Sequence, residues 1–336
     1  MFCGSFGPML GLRDEVDALA AASAFAGVVR VDLAEEIELA QAYGFADRAH
    51  EIPNALETQF ATASGTKGLT ALTVVGLIED GLIELSTTAR SMLGDDLPLI
   101  RDDVTIEHLL AHRSGIGDYL DEETDYDIAD YVMPVPVHEL ATTEQYLAVL
   151  DGHETKFQPG EQFAYCNGGY VVLALIAERA RGVPFHELVR ERVCERARMV
   201  DTEFLRSDEL PGRAALGYLT GYGSRTNVLH LPVRGSGDGG IYSTAADVSS
   251  FWRAFFGGRV VPERWVAEMT RRHSERYGLG FWLDQSRDAV MLEGSDAGVS
   301  FRSAHHPGRG VTYTVISNTS EGAWPVARLL AERLSA

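Results

Sequence analysis

The sequence is poor in cysteine and in positive charge. Its three cysteines, Cys3, Cys166 and Cys194, show no CxxC spacing, so they indicate reduced thiols rather than a disulfide framework or a zinc site. Twenty-nine basic residues stand against 49 acidic ones, which gives a formal net charge of −20. Such a charge repels phosphate backbones and anionic membrane surfaces. We therefore expect a reducing compartment and no nucleic-acid partner.

Long apolar runs are missing as well. No stretch reaches the roughly 20 apolar residues that cross a bilayer, and residues 1–17 lack a basic leader followed by a sustained apolar run. These absences predict a protein without a membrane span and, unless a leader was removed, a cytoplasmic one. Hydrophobic residues make up 45% of the chain, which is ample for a large core. Nothing in the sequence predicts the oligomeric state.

Residues typical of β-strands are concentrated near both ends of the chain. Residues 25–46 hold two partly alternating runs around an acidic turn, which predicts a hairpin. Residues 277–318 hold four runs separated by turn signals, which predicts an antiparallel meander, and residues 323–334 predict an amphipathic helix. Helical patterns lie between the two ends, at residues 66–80, 104–111, 142–150, 168–181 and 184–197.

This order of elements predicts an α/β (α+β) fold in which the N- and C-terminal segments build one antiparallel sheet flanked by helices. Residues 1–60 and 236–336 would form the sheet domain, and residues 61–235 a mostly helical domain. We expect the active site in the cleft between them. Residues 121–130 carry six acids and no base, which predicts a solvated loop.

A single lysine stands at the start of a long uncharged stretch. After Lys67 no charged residue occurs until Glu79, so residues 66–78 are predicted to form a buried central helix. Removal of an ammonium from water favours its neutral form, which can accept a proton. Ser64 lies three residues earlier, on the same face of a helical turn. The pair predicts a nucleophile beside its base, although a capping serine and a lysine that reaches the solvent would show the same spacing.

Further segments follow this pair in a specific order. ASGTK (63–67) precedes LIEDGLIEL (77–85), TIEHLLAHRSGIGDY (105–119), PGEQFAYCNGGYVVLALIAERARGVPF (159–185) and GDGGIYSTAADVSSF (237–251). Together these segments resemble the serine β-lactamase and penicillin-binding-protein-like family. The sequence is most similar to the branch of class C β-lactamases, D-alanyl carboxypeptidases and family VIII esterases. The resemblance implies a β-lactamase/transpeptidase-like fold.

The resemblance also implies roles for individual residues. Ser64 would be the acylated nucleophile, Lys67 would activate it, and Tyr165 would pass the proton to the leaving group. Asn167 would hydrogen-bond the substrate or Lys67. Cys166, between the last two motif positions, is interpreted as a packed small side chain rather than a second nucleophile.

The third motif of the family is altered in this sequence. Relatives carry Lys, His or sometimes Trp, then a small residue and Gly. Here, with Gly294 as the anchor, Leu292 occupies the cationic position, and a shift by one residue places Glu293 there. The resemblance still implies an oxyanion site between the backbone N–H groups of Ser295 and Ser64.

Other candidate residues receive weaker interpretations. Arg302 or Arg113 could supply the missing charge from elsewhere in the sequence. His112, at the end of a predicted helix, is interpreted as a structural residue that could act as a cation there. Residues 235–240, GSGDGG, lack the lysine of a P-loop and are predicted to line the cleft. Adjacent histidines at 305–306 lack a spaced third ligand, so no metal is predicted.

The function predicted from the sequence is acyl transfer to Ser64 followed by hydrolysis, without metal or organic cofactor. No GxSxG elbow occurs, which argues against an α/β-hydrolase. Because a substrate carboxylate would lack its usual cation, we expect small neutral esters. Two alternatives stay open: a hydrolase of D-amino-acid amides or peptides or of β-lactams, and a non-catalytic binding module that retains the fold.

Overall fold

The computed structural model describes residues 11–122, 130–285 and 289–334. Its strands are β1 (Gly27–Leu33), β2 (Glu36–Tyr43), β3 (Phe45–Asp47), β4 (Ile52–Pro53), β5 (Phe60–Ala61), β6 (Tyr242–Ser243), β7 (Trp282–Leu283), β8 (Val290–Asp296), β9 (Val299–His306) and β10 (Val311–Ser317). Six of these form one antiparallel sheet in the order β2-β1-β10-β9-β8-β7. β1 pairs directly with β10, from Gly27 opposite Ser317 to Leu33 opposite Val311. The prediction that both ends of the chain share one sheet is confirmed.

Helices pack on both faces of this sheet and on one another. They are α1 (Leu12–Ala22), α2 (Thr66–Glu79), α3 (Ala89–Leu93), α4 (Ile106–Leu110), α5 (Leu147–Leu150), α6 (Asn167–Arg181), α7 (Phe185–Val189), α8 (Glu195–Ala197), α9 (Ala245–Phe256), α10 (Glu263–Met269) and α11 (Ala323–Leu334). The predicted helix at 184–197 is divided, because a π-helical turn, Arg190–Cys194, separates α7 from α8. The predicted helix at 142–150 begins as the 3₁₀ turn Thr143–Tyr146.

The two faces of the sheet are covered by different helices. Apolar residues of β1 and β10 that face one way, such as Val29 and Val315, pack with α1 and α11. Residues that face the other way, such as Val28 and Ile316, belong to the larger core that includes α2, α6 and α9. This division follows from the alternation of side chains along a strand. Neither α1 nor α9 was predicted from the sequence pattern.

Helix α2 is the central helix of the molecule. Every residue from Thr66 to Leu77 is buried, as predicted from the lack of charge in this stretch. The helix packs closely on the sheet at Gly68, where an added Cβ would lie 2.5 Å from Cδ2 of Leu292. The N-terminus of α2 therefore lies beside β8, and this contact positions the candidate site.

Some predictions from the sequence are not tested by the positions of the helices and strands. The acidic loop predicted at 121–130 lies mostly outside the described residues, since positions 123–129 are not described. The domain boundaries at residues 60 and 236 remain a prediction. Among the described helices, none combines the length and the apolar character needed to cross a membrane. Cys166 and Cys194 are both free and buried, and Cys3 lies outside the described residues.

Candidate active site

Ser64 lies in a short 3₁₀ turn, Ala63–Gly65, that leads directly into α2. Its position is fixed by the neighbouring backbone, because β5 pairs with β6 and the N–H of Thr62 donates to the carbonyl of Ile241 over 2.9 Å. The capping position of α2 is Gly65, and no side chain caps it. The alternative interpretation of Ser64 as a helix cap is therefore wrong.

Lys67 is almost fully shielded from solvent, with 1% of its surface exposed. Its Nζ donates to Ser64 Oγ over 2.9 Å, to Asn167 Oδ1 over 2.8 Å and to the backbone carbonyl of Asp238 over 2.7 Å. The alternative in which this lysine reaches the solvent is wrong. The amine and the hydroxyl are in contact, as the three-residue spacing predicted.

The three partners of Lys67 suit both of its protonation states. An ammonium has three N–H donors, one for each of the three oxygens. A neutral amine has two donors, which the acceptor-only oxygens of Asn167 and Asp238 take up, and its lone pair is then left for the proton of Ser64. The site can therefore take the Ser64 proton without leaving a polar atom of the lysine unpaired.

Tyr165 completes the group around the Ser64 hydroxyl. Lys67 Nζ lies 4.9 Å from the centre of its ring, and the hydroxyl of Tyr165 is close enough to Ser64 for the two groups to interact. Burial is the largest influence on the phenol and raises its pKa well above the ordinary value; the nearby charge of Glu122 acts in the same direction, and the interaction with Ser64 opposes both. Tyr165 therefore keeps its proton at neutral pH and can act as a proton donor.

Asn167 is buried at the start of α6 and its amide is fully engaged. Oδ1 accepts from Lys67, while Nδ2 donates to the carbonyl of Leu120 over 3.0 Å and to Glu122 Oε1 over 3.1 Å. The sequence predicted that Asn167 bonds either the substrate or Lys67, and the structure shows the bond to Lys67. The carboxylate of Asp118 accepts from the backbone N–H groups of Asn167 and Gly168, over 2.6 Å and 2.8 Å, and so fixes this end of the helix.

Strand β8 passes close to the nucleophile at Gly294. An added Cβ on this glycine would lie 2.9 Å from Ser64 N and 3.0 Å from Ala63 Cβ, so only glycine permits this approach. The next residue, Ser295, is exposed and lines the cleft. This arrangement is compatible with the predicted oxyanion site at the N–H groups of Ser64 and Ser295, which remains a prediction.

The altered third motif is not compensated by another described cation. Leu292, at the expected cationic position, is buried against α2. Glu293 forms an ion pair with Arg302 Nε over 2.6 Å on the neighbouring strand β9, and Arg113 donates to the carbonyl of Gly160. Neither arginine lines the cleft, so the possibility that one of them supplies the missing charge finds no support in the described lining.

The cleft in front of Ser64 is acidic and partly apolar. Among the described residues that line it there is no lysine or arginine, whereas Glu122, Asp238 and Asp296 contribute carboxyl groups. Burial raises the pKa of Asp296 to about 7 and also raises the pKa of Asp238, whose Oδ2 accepts from the hydroxyl of Tyr119. The apolar part of the lining comes from Leu120, Met133, Leu205, Leu231 and Val233.

Several residues of the site were missed or misinterpreted in the sequence. The GSGDGG segment does line the cleft, as predicted, but the bond from Lys67 to the Asp238 backbone has no signal in the sequence. His112 is no helix-end cation, because burial and the positive charge of Lys67 hold its pKa well below the ordinary value. Cys166 is a buried thiol that accepts from Gly169 N over 3.3 Å, and burial raises its pKa well above the usual range. It is a packed side chain, as expected.

The family model described as Beta-lactamase matches residues 12–334, which is nearly all of the chain. The chain belongs to the β-lactamase family. A similar solved structure is the penicillin-binding protein from Bacillus halodurans, with a TM-score of 0.89 and 33% identity over 94% of this chain and 99% of that one. The resemblance to this family and its fold is confirmed.

Curated members of the family differ in what they are named for. The chain is 27% identical to the putative penicillin-binding protein PbpX of Bacillus subtilis, over 77% of this chain and 62% of that protein. It is 32% identical to esterase EstB of Burkholderia gladioli, over 55% and 48%, and 28% identical to a D-aminopeptidase of Brucella ovis, over 68% and 42%. The matched part thus spans between 42% and 62% of these curated relatives.

Proposed function

We propose that this protein is a serine hydrolase that acylates Ser64 and hydrolyses small esters. The observation that carries the proposal is the contact of a buried amine with a partly exposed hydroxyl, Lys67 Nζ to Ser64 Oγ, at the floor of a cleft. A hydroxyl becomes an effective nucleophile when an adjacent base takes its proton. Membership of the β-lactamase family and the similarity to an esterase support this proposal.

In the proposed acylation step, Lys67 and Tyr165 each gain one proton and lose one. Ser64 Oγ attacks the ester carbonyl carbon while its proton passes to Lys67 Nζ, and the N–H groups of Ser64 and Ser295 bind the developing oxyanion. Tyr165 then donates its phenolic proton to the departing alkoxide and regains a proton from Lys67. The raised pKa of Tyr165 supports this role, because the phenol holds its proton until the leaving group needs it.

Deacylation returns the enzyme to its starting state. A water molecule attacks the acyl carbonyl, the same backbone groups bind the oxyanion, and Ser64 leaves as its oxygen regains a proton. Lys67 and Tyr165 can take the proton from this water, because the lysine keeps two acceptors for its N–H groups in either protonation state. The products are the carboxylic acid and the free enzyme, and no further reactant is needed.

The charge of the cleft favours substrates without a carboxylate. Leu292 stands where relatives carry a cation, and the described lining supplies carboxyl groups and neither lysine nor arginine. A substrate carboxylate would meet the carboxyl groups of Glu122, Asp238 and Asp296 here and no lysine or arginine among the described lining residues. We therefore propose uncharged esters, and we expect poor turnover of β-lactams and of peptides that end in a free carboxylate.

A second candidate function is hydrolysis of amino-acid amides or esters that carry a free ammonium group. The specific observation in its favour is the pair of carboxyl groups of Glu122 and Asp296 in the lining of the cleft, and one relative is named a D-aminopeptidase. A matched pair of esters, one with a free amine and one N-acetylated, distinguishes the two candidates. If the amine is recognised, Glu122→Gln with Asp296→Asn raises KM for the free amine far more than for the N-acetyl ester.

The proposed function is tested by pre-steady-state hydrolysis of a p-nitrophenyl ester. We expect a burst of nitrophenol equal to the enzyme concentration, which is lost in Ser64→Ala, and covalent labelling of Ser64 by an active-site phosphonate. A panel with D-amino-acid anilides and a β-lactam sets the substrate class. A folded protein that neither shows the burst nor takes up the phosphonate would refute the proposal and favour a binding module instead.

A further inference from the structure

His112 holds a strained backbone conformation next to the candidate site. It follows α4 with a φ of +54°, a left-handed conformation that is uncommon outside glycine, that histidine adopts more readily than most residues, and that costs free energy. Its side chain is 1% exposed, and its ring centre lies 4.3 Å from that of Tyr165 and 4.7 Å from that of Tyr277. Strain that persists in a buried position is held there by the contacts around it, and these contacts lead to Tyr165.

Two hydrogen bonds of His112 bracket Tyr165 in the chain. The carbonyl oxygen of His112 accepts from the N–H of Ala164 over 2.9 Å, and its Nδ1 accepts from the N–H of Cys166 over 3.0 Å. An accepting Nδ1 in a neutral ring places the proton on Nε2, and the lowered pKa of this buried ring keeps it neutral. The residues immediately before and after Tyr165 are therefore both hydrogen-bonded to His112.

The ring of Tyr165 is held as well as its backbone. Besides His112, it is stacked on Trp282 with ring centres 5.6 Å apart and an angle of 14° between the planes. A phenol has two soft torsions, and ring contacts of this kind restrict both. These contacts fix the direction of the Tyr165 hydroxyl, which interacts with Ser64.

We propose that His112 is a positioning residue for Tyr165. Its neutral imidazole and its left-handed backbone together place the phenol where it protonates the leaving group, and His112 itself touches neither Ser64 nor the substrate. The inference rests on the proposed function, because a positioned phenol matters only if Tyr165 delivers a proton. The left-handed conformation is part of the arrangement, since it lets the carbonyl and the ring of one residue both reach the segment 164–166.

The test compares two esters of one acid that differ in their need for a proton donor. An alkyl ester releases a basic alkoxide that requires protonation, whereas a p-nitrophenyl ester releases a weakly basic phenolate. The measured quantity is kcat/KM, which reports acylation, expressed as the ratio of alkyl to aryl ester. Tyr165→Phe is expected to lower this ratio by about 100-fold, and His112→Leu by about 10-fold or more.

The ratio is insensitive to partial misfolding. Both esters are measured on one preparation, so the fraction of active enzyme cancels, and a purely structural loss lowers both rates alike. His112→Asn keeps an acceptor near Nδ1 and tolerates a positive φ, so we expect it to recover part of the ratio. The control Tyr277→Phe removes only a hydroxyl from the same aromatic group, and we expect the wild-type ratio. The double variant His112→Leu/Tyr165→Phe is expected to match Tyr165→Phe alone.

The outcomes distinguish a failure of the positioning role of His112 from a failure of the proposed function. An unchanged ratio in Tyr165→Phe would refute the proton-donor role of Tyr165 and with it the proposed mechanism. A lowered ratio in Tyr165→Phe together with an unchanged ratio in His112→Leu would overturn the positioning role alone. A His112→Asn ratio no higher than that of His112→Leu would overturn the role of the hydrogen bond from Cys166 N to His112 Nδ1 in positioning Tyr165.

Discussion

Replacement of Gly294 by alanine tests whether the close approach of β8 to Ser64 is needed for catalysis. The added Cβ would lie 2.9 Å from Ser64 N, 3.0 Å from Ala63 Cβ and closer still to the carbonyl oxygen of Thr62. Carbon and oxygen atoms that are not hydrogen-bonded normally stay about 3.3 Å or more apart. The strand and the turn must therefore separate by about 1 Å, which moves the N–H of Ser295 away from that of Ser64.

The size of the effect follows from this displacement. Overpacking of a buried site costs about 1–3 kcal/mol in the free energy of unfolding, which lowers the melting temperature by a few degrees in a protein of this size. A misplacement of about 1 Å at reacting groups costs about 100-fold in rate, close to the loss of one oxyanion donor. We therefore expect Gly294→Ala to be folded, slightly destabilised and about 100-fold lower in kcat.

The assay is hydrolysis of a p-nitrophenyl ester, with thermal unfolding followed in parallel. Gly308→Ala is the matched control, because Gly308 is exposed and an added Cβ there would meet nothing within 4 Å. We expect the control to keep the wild-type kcat and melting temperature. A folded Gly294→Ala variant with kcat within about threefold of the wild type would refute the reasoning, because β8 would then contribute nothing that depends on its distance from Ser64.

Three further predictions concern single side chains of the site. Lys67→Met should lower kcat by about 10²–10⁴-fold and destabilise the protein by at least about 1–3 kcal/mol, since two buried oxygens lose their donor; burst kinetics and chemical denaturation measure both. Burial raises the pKa of the Asp118 carboxyl to about 6, so the folded state binds the carboxyl proton more tightly than the unfolded state does. The stabilisation that this proton gives the folded state is present at low pH and is lost as the pH rises through about 6. The difference in unfolding free energy between wild type and Asp118→Asn should therefore shift by about 1 kcal/mol in favour of the wild type from pH 7 to pH 5, whereas a constant difference would contradict the pKa. Cys166→Ser keeps an acceptor for Gly169 N and should keep kcat within about threefold, while a large loss would point to a chemical role for the thiol.

Much of the fold could be predicted because hydrophobic patterns decide it locally. The hairpin at the N-terminus, the meander and α11 each have a periodicity of their own, and the register of a strand follows from which residues are apolar. The central helix was predicted from a single feature, the absence of charge after Lys67. Helix α1 was missed although it has a buried stripe of Leu12, Val16 and Ala20, which a count of the 3.6-residue period would have detected.

The candidate site could be predicted only where it consists of motif side chains. The contact of Ser64 with Lys67 follows from their spacing, but the partners of the lysine do not, since one of them is the backbone carbonyl of Asp238. A contact made by a backbone atom does not depend on the residue type, so the sequence does not indicate it. The carboxylate of Asp118 at the start of α6 could have been suspected as a cap from its residue type alone, but it lies 49 positions away from Asn167, and only the fold joins them.

At the expected cationic position of the third motif, the apolar side chain of Leu292 packs against α2. Leu292 is 4% exposed and fills the space beside Gly68, one residue from Lys67. A second ammonium in this space would be buried beside Lys67, whose acceptors are already taken, and an unpaired buried charge is costly. The leucine and the carboxyl groups that line the cleft both leave the hydroxyl, amine and phenol of the proposed reaction undisturbed. We propose that together they let the site discriminate by the charge of its substrate.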